Sequence, residues 1–211
     1  MSDGEAMIRV EQAGDCCTIT LARPEKANAL TERMLEGLAS AVLATTAKVL
    51  ILTGEGKVFS AGADLDGMKA GLGLSPAWEA ASGAIAAFPG LSIAALNGTL
   101  AGGAMGAALA CDLRIAVPTA TFFYPVMRLG YRPQPSDTGR LAAVVGPSRA
   151  KMILLAGQRI DAETALAWGL IDRICAPESL IDTAMSLAEA ALSADPGHVK
   201  ALKRMTNGDQ P

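Results

Sequence analysis

Two glycine-rich stretches carry the residues best suited to chemistry. Phe59-Ser60-Ala61-Gly62-Ala63-Asp64-Leu65 follows an apolar run over 48–53 (KVLILT), and Asn97-Gly98-Thr99-Leu100-Ala101-Gly102-Gly103 follows one over 91–96 (LSIAAL). Both runs read as buried strands. Small residues at a strand end let a ligand approach main-chain N–H groups. Gly103 is expected at a helix N-terminus, where free N–H groups and the helix dipole favour developing negative charge. Two such donors aimed at one oxygen make an oxyanion hole, and losing a single donor costs about 3–4 kcal/mol in other enzymes. The same spacing also fits glycines that only allow close helix–strand packing. A dinucleotide site fits poorly. Ala101-Gly102-Gly103-Ala104-Met105-Gly106 approaches G-x-G-x-x-G but begins with alanine, and no acidic residue occurs between Asp112 and Asp137 to hold a ribose.

The elements that must position these stretches can be read from periodicity. Residues 7–12 and 16–22 alternate like two half-buried strands joined through Ala13-Gly14-Asp15. Thr31 caps a predicted helix from about Glu32 to Thr45, with Met34, Leu35, Leu38, Val42 and Leu43 at helical spacing. Ser75 and Pro76 open a helix that Pro89-Gly90 stops, and the second glycine-rich stretch leads into a helix ending near Cys111. Strands are expected at 113–117 and 121–124, then irregular chain over 125–135. Helices follow near 137–145, 147–156, 162–168 (capped by Asp161) and 178–193, with a strand near 170–174 and a short helix from His198 to Met205. Strands alternate with helices first and helices dominate later. The pattern is one α/β domain over 1–211, with a core at about 7–160 and a helical C-terminal part at about 161–211.

Composition limits the possible functions. The 211 residues are 51% hydrophobic and 18% charged, which excludes a disordered chain. Aromatic residues are only 4%, so the apolar excess is largely alanine and predicts close backbone contacts. A net charge of −3 gives no basic surplus for nucleic acid or an anionic membrane. Cys16, Cys17, Cys111, Cys175 and the single His198 form neither a metal-ligand spacing nor a disulfide framework, so no metal and a reduced, cytoplasmic setting are expected. The N-terminus MSDGEAMIRVEQ lacks the apolar core of a signal peptide, and no apolar stretch reaches the ~18 residues of a membrane span.

Four blocks, taken together, resemble one family. FSAGADL (59–65), NGTLAGGAMGAALACDLRIA (97–116), GQRIDAETALAWGLIDRI (157–174) and ARPEKANAL (22–30) are similar, in order and over most of 8–207, to the crotonase superfamily of enoyl-CoA hydratases and isomerases. The resemblance implies a crotonase-like spiral of ββα units and assembly as a homotrimer or dimer of trimers. It implies acyl-CoA substrates, with coenzyme A carried in the thioester and no bound cofactor. It places the oxyanion donors at the backbone N–H groups of Ala63 and Gly103, which hold the thioester oxygen as it becomes an enolate. It lays coenzyme A along Lys26, Ala27, Ala29, Ala61 and Leu65; Lys26 suits a CoA phosphate or simply solvent.

The pattern breaks where a hydratase of this family carries its two glutamates. Those places are Gly106 and Val126, and neither residue moves a proton. Isomerase, thioester hydrolase or decarboxylase chemistry is therefore expected in place of ordinary hydration. Other members use an aspartate in the following loop. That place falls on Gln134, with Asp137 three residues on and within reach if Pro133 and Pro135 shift the register. Asp137 is then an acid/base candidate. The competing reading has Ser136 capping a helix and Asp137 at its positive end. Asp64 is expected to cap or brace its loop, and Asp112 to be structural. Tyr124, Tyr131, Arg128 and Arg132 gather near the reacting loop, where the arginines suit an acyl carboxylate or solvent. Glu79 falls on the helix after the first loop, with its face undetermined. The helical end is short beside the family's, which predicts a more open site. Two other readings stay open: a non-catalytic acyl-CoA-binding or assembly subunit, and a serine-protease-like hydrolase on the same spiral. The second needs a Ser–His pair, and His198 lies outside every motif.

Overall fold

In the computed structural model, which describes residues 7–208, the first two strands form a hairpin through Gly14 at φ +57°. The acidic residues 1–6 of the N-terminal stretch and residues 209–211 lie outside the described residues. Ile8–Ala13 (β1) and Cys16–Leu21 (β2) pair antiparallel. β1 is mostly exposed. β2 departs from the expected half-buried alternation and is buried on both faces except at Thr18, because it lies inside the sheet rather than at its edge. Glu32–Ala44 (α1) starts as expected, with Thr31 accepting the Met34 N–H at 3.2 Å.

A ββα unit then recurs. Val49–Gly54 (β3) leads to Val58–Ser60 (β4), Leu65–Lys69 (α2) and Ala77–Ala87 (α3). Leu91–Leu96 (β5) leads to Thr99–Ala101 (β6) and Ala104–Ala110 (α4). Leu113–Ala116 (β7) leads to Thr121–Phe123 (β8), Val126–Leu129 (α5) and Pro135–Val145 (α6). Pro147–Leu154 (α7), Ile160–Asp161 (β9), Ala162–Trp168 (α8), Arg173–Ile174 (β10), Leu180–Ser193 (α9) and Pro196–Thr206 (α10) complete the chain. The first strand of each unit enters a six-stranded sheet of order β1-β2-β3-β5-β7-β10, and the second enters a four-stranded sheet of order β4-β6-β8-β9. Pairing is parallel from β2 through β10 and from β4 through β8.

This arrangement puts every unit's strand-to-helix junction on the same side of its sheets, where small residues at β4 and β6 can meet. The alanine content has its reason in α4, which is buried at every residue and apolar all round. The last helix is tied down by Lys203, whose Nζ donates to Asp112 Oδ2 at 2.8 Å and to the Gly90 carbonyl at 3.1 Å. Asp112 also accepts the Ser92 N–H at 2.8 Å, which is the structural role expected of it.

Candidate active site

Two stretches of backbone press together where the glycine-rich segments meet. Gly62 has φ +96°, and a Cβ there would lie 2.8 Å from the Ala101 carbonyl oxygen. Gly102 has φ +54°, and its Cβ position lies 3.6 Å from Gly62 Cα. Glycine alone adopts these angles without strain and leaves room for the approach. Beyond each glycine comes a residue whose N–H is unspent. Ala63 forms a parallel bridge with Leu30 in which Leu30 N donates to the Gly62 carbonyl (2.7 Å) and Asp64 N to the Leu30 carbonyl (2.9 Å). The bridge uses the groups on either side of the Ala63 N–H and not that N–H itself. Gly102 N donates to the Phe123 carbonyl and Met105 N to the Gly102 carbonyl, while Gly103 N donates to nothing. Among the described residues, neither the Ala63 nor the Gly103 N–H has a protein acceptor.

Both residues line one cavity of about 370 Å³. Ala61 and Leu65 continue the Ala63 wall, Trp78 stands over Gly103, and Tyr124, Val126, Tyr131, Arg132 and Gln134 form the facing side. Trp78 is fixed by its indole N–H, which donates to the Leu72 carbonyl at 2.8 Å, and its ring lies 2.9 Å from where a Gly103 Cβ would be. Asp64 braces the first wall. Its carboxylate accepts the Asp66 and Gly67 N–H groups and pairs with Arg23 at 2.7 Å. The Gly67 N–H, with Arg23 next, holds that carboxyl below its ordinary pKa.

Asp137 sits behind the wall rather than in it. The side chain is 2% exposed, and the Tyr124 hydroxyl donates to its Oδ2 at 2.8 Å. Tyr124 faces the cavity, while Asp137 faces a small void of about 10 Å³ shared with Ser82, Gly103 and Gly106. Burial raises the Asp137 carboxyl from 3.8 to about 6, against the lowering effect of the Tyr124 hydrogen bond. Burial, and then the Asp137 charge, push the Tyr124 phenol well above its ordinary value. Both shifts favour a neutral phenol and a carboxyl that keeps its proton to higher pH than an exposed aspartate does.

The structure keeps Asp137 in the first turn of α6, at the positive end as expected, and corrects the cap, which is not Ser136. Gln134 holds the N-cap position of α6 with no side-chain cap bond, and Pro135 occupies the first turn. The free N–H and hydroxyl of Ser136 both donate to Glu79 Oε1 on α3, each at 3.0 Å. Glu79 thus serves as an acceptor for the helix start from another element, and Asp137 turns inward. Gln134 lines the cavity and donates its side-chain N–H to the Gly73 carbonyl at 3.1 Å.

The remaining candidates separate clearly. Ala61 and Leu65 line the cavity; Lys26, Ala27 and Ala29 lie outside its walls, on the turn whose Ala27 carbonyl accepts the Ala61 N–H at 2.9 Å. Tyr131 and Arg132 line the cavity, whereas Arg128 faces a separate cleft beside Arg159, whose guanidinium stacks 3.9 Å from the Phe123 ring centroid. His198 is exposed on α10 and lines another groove with Asp112 and Lys203. Trp78 escaped sequence reasoning, and the face of Glu79 stayed undetermined there, because their partners, Gly103 and Ser136, are tertiary neighbours in no shared motif. Among the described residues no group of His, Cys, Asp and Glu could hold a metal ion, and no helix is long and apolar enough to cross a membrane.

Residues 11–210 match the family model for enoyl-CoA hydratase/isomerase. The chain is 34% identical over 206 residues to the "Probable enoyl-CoA hydratase echA6" of Mycobacterium bovis, covering 96% of this chain and 83% of that protein. It is 35% identical over 210 residues to the carnitinyl-CoA dehydratase of Salmonella arizonae, covering 94% and 79%. Among solved structures, an enoyl-CoA hydratase subunit from Geobacillus kaustophilus superposes with a TM-score of 0.88 at 32% identity, over 98% of this chain and 84% of that one. DspI of Pseudomonas aeruginosa gives 0.89 at 32% identity, over 98% and 82%.

Proposed function

Because the chain belongs to the enoyl-CoA hydratase/isomerase family and shares its crotonase-like fold, we propose that its cavity binds an acyl-CoA thioester and moves a proton on the acyl chain. The observation that carries this reading is the pair of unspent N–H groups, Ala63 and Gly103, on the walls of one cavity. A thioester oxygen between them is stabilised as negative charge develops, without a formal cation. Coenzyme A then runs past Ala61 and Leu65 toward Ala27, Ala29 and Lys26. Assembly as a homotrimer or dimer of trimers belongs to the same proposal, and light scattering tests it.

Proton movement falls to Tyr124 and Asp137. No aspartate or glutamate lines the cavity, and Tyr124 is the wall hydroxyl backed by a carboxylate. When a carbon–hydrogen bond breaks, its electron pair moves onto the thioester oxygen. The proton passes to the Tyr124 oxygen as Tyr124 hands its own to ionised Asp137. Return of the proton at a different carbon is isomerisation. Where the enolate arises by loss of carbon dioxide, the protonated pair supplies the proton and solvent restores Asp137. Hydration and thioester hydrolysis both require an activated water, and Gly106 and Val126 offer no base for one.

A non-catalytic acyl-CoA-binding subunit is the second reading, favoured by the absence of any carboxylate from the cavity wall. Incubating a saturated acyl-CoA with the protein in heavy water separates the two. Deuterium entering the carbon beside the carbonyl, and lost in Tyr124→Phe, supports proton transfer. Tight binding with neither exchange nor turnover of any thioester supports the binding subunit.

A further inference from the structure

We infer that Arg132 makes the cavity selective for acyl groups that carry a carboxylate of their own, the monothioesters of dicarboxylic acids. The inference rests on the reading of the cavity as an acyl-CoA site. Two cations line the cavity, Lys69 and Arg132, and no acidic residue does. Lys69 is already held by Asp66 at 2.9 Å. The Arg132 guanidinium has no hydrogen-bond, ion-pair or ring partner among the described residues. The one carboxylate nearby, Asp137, is buried behind Tyr124, whose hydroxyl it binds. A negatively charged acyl terminus therefore meets an unspent cation and no like charge.

The mounting of Arg132 strengthens the case. In Arg132-Pro133-Gln134-Pro135 a proline follows both Arg132 and Gln134, which confines each to extended backbone. Gln134 has φ −63° and ψ 149°, its side chain is tied to the Gly73 carbonyl, and Pro135 opens α6. Arg132 itself is exposed at the mouth of the cavity, and an arm stiffened by two prolines and tied down at Gln134 leaves less backbone freedom to lose when the side chain engages a ligand. A guanidinium on such an arm presents paired N–H donors that match a carboxylate. Leu65, Met68, Val126 and Leu129 supply apolar wall for the methylenes between the two carbonyl ends.

Calorimetric titration of the full chain with glutaryl-CoA and pentanoyl-CoA tests this, since the two differ only in the terminal carboxylate. Glutaryl-CoA should bind about tenfold more tightly or better, the worth of one hydrogen-bonded charge pair. Arg132→Gln should erase the preference and leave pentanoyl-CoA within about twofold of its original affinity. Arg132→Lys should keep part of it. Equal binding of the two thioesters by the native chain overturns the inference. Equal weakening of both by Arg132→Gln also overturns it, because Arg132 would then be serving the coenzyme's phosphates. Failure of both thioesters to bind overturns the acyl-CoA reading and this inference with it.

Discussion

The carboxylate of Asp137 fills the space that a side chain on residue 106 would need. A Cβ placed on Gly106 overlaps Asp137 Oδ1 and lies 3.1 Å from its Cγ. The two residues stand on different helices, α4 and α6, so the fit is mutual. Glycine at 106 admits the carboxylate from 137, and that carboxylate excludes a glutamate at 106. Gly106→Glu alone should destabilise the chain by about 1–3 kcal/mol through overpacking. Combining it with Asp137→Gly should recover most of the loss. Urea unfolding of the four proteins in this cycle measures the coupling, and simple additivity would show that the two sites do not compete.

Asp137 should also make the fold lose stability between mild acid and neutral pH. Its folded pKa is raised from 3.8 to about 6 by burial. Below the ordinary value the carboxyl is neutral in both states, and its stabilising contribution is complete. Between the two values the folded chain keeps a proton that the unfolded chain releases. That contribution is lost as pH rises through about 6, a change of about 3 kcal/mol. Asp64, whose pKa is lowered by Gly67 and Arg23, acts in the opposite sense only at lower pH. Unfolding free energies from about pH 4.5 to 7.5 should therefore fall for the native chain relative to Asp137→Asn. A constant difference between the two proteins would return Asp137 to an ordinary carboxyl.

Gly103→Pro tests one of the two proposed oxyanion donors. The residue has φ −59°, within proline's range, and its N–H has no protein acceptor to lose. A Cβ at residue 103 lies 2.9 Å from the buried Trp78 ring, so the ring must move to admit proline, and the variant also loses some stability. Turnover should fall by about 10²–10³. A thermal melt confirms that the variant is folded, and undiminished turnover in a folded protein would remove Gly103 from the site.

Gln134 couples the cavity wall to the loop before α3. Its hydrogen bond to the Gly73 carbonyl and that of Trp78 to the Leu72 carbonyl pin the same short segment from two sides. Gln134→Ala should speed amide hydrogen exchange over 70–75 and raise KM for an acyl-CoA more than it lowers kcat. Exchange unchanged in that segment would mean the Trp78 bond suffices to hold it.

Much of this was legible from the residues, and the failures have a common origin. Thr31 and the apolar spacing behind it predict α1 to within a residue of Glu32–Ala44, and Asp161 caps α8 by accepting the Thr164 N–H. These signals are local, since cap and helix lie within a turn of each other. The three-residue strands β4 and β6 hide inside glycine-rich stretches because so short a strand shows no alternation. The ββα repeat shows no fixed period because the segment carrying α2 and α3 makes its unit longer than the next. Ala63 and Gly103 could be singled out as small residues at strand ends. Asp137 could not be placed, because Ser136-Asp137 after a proline looks like an ordinary helix start. What redirects it is Glu79, 57 residues upstream of Ser136 and visible only once α3 and α6 are packed.

The contact between Gly62 and Gly102 has a consequence for how such a molecule changes over generations. The segments carrying Ala63 and Gly103 are spaced by two main chains in contact, so no single side-chain replacement elsewhere in the cavity resets that distance. Tyr124, Val126 and Asp137 belong to other elements and Gly106 lies a turn beyond Gly103 on α4; these positions can be exchanged one or two at a time. On the proposed chemistry, heredity is thus given a fixed part that would polarise a carbonyl and an editable part that would decide where a proton goes. New reactions can be tried on the second without losing the first.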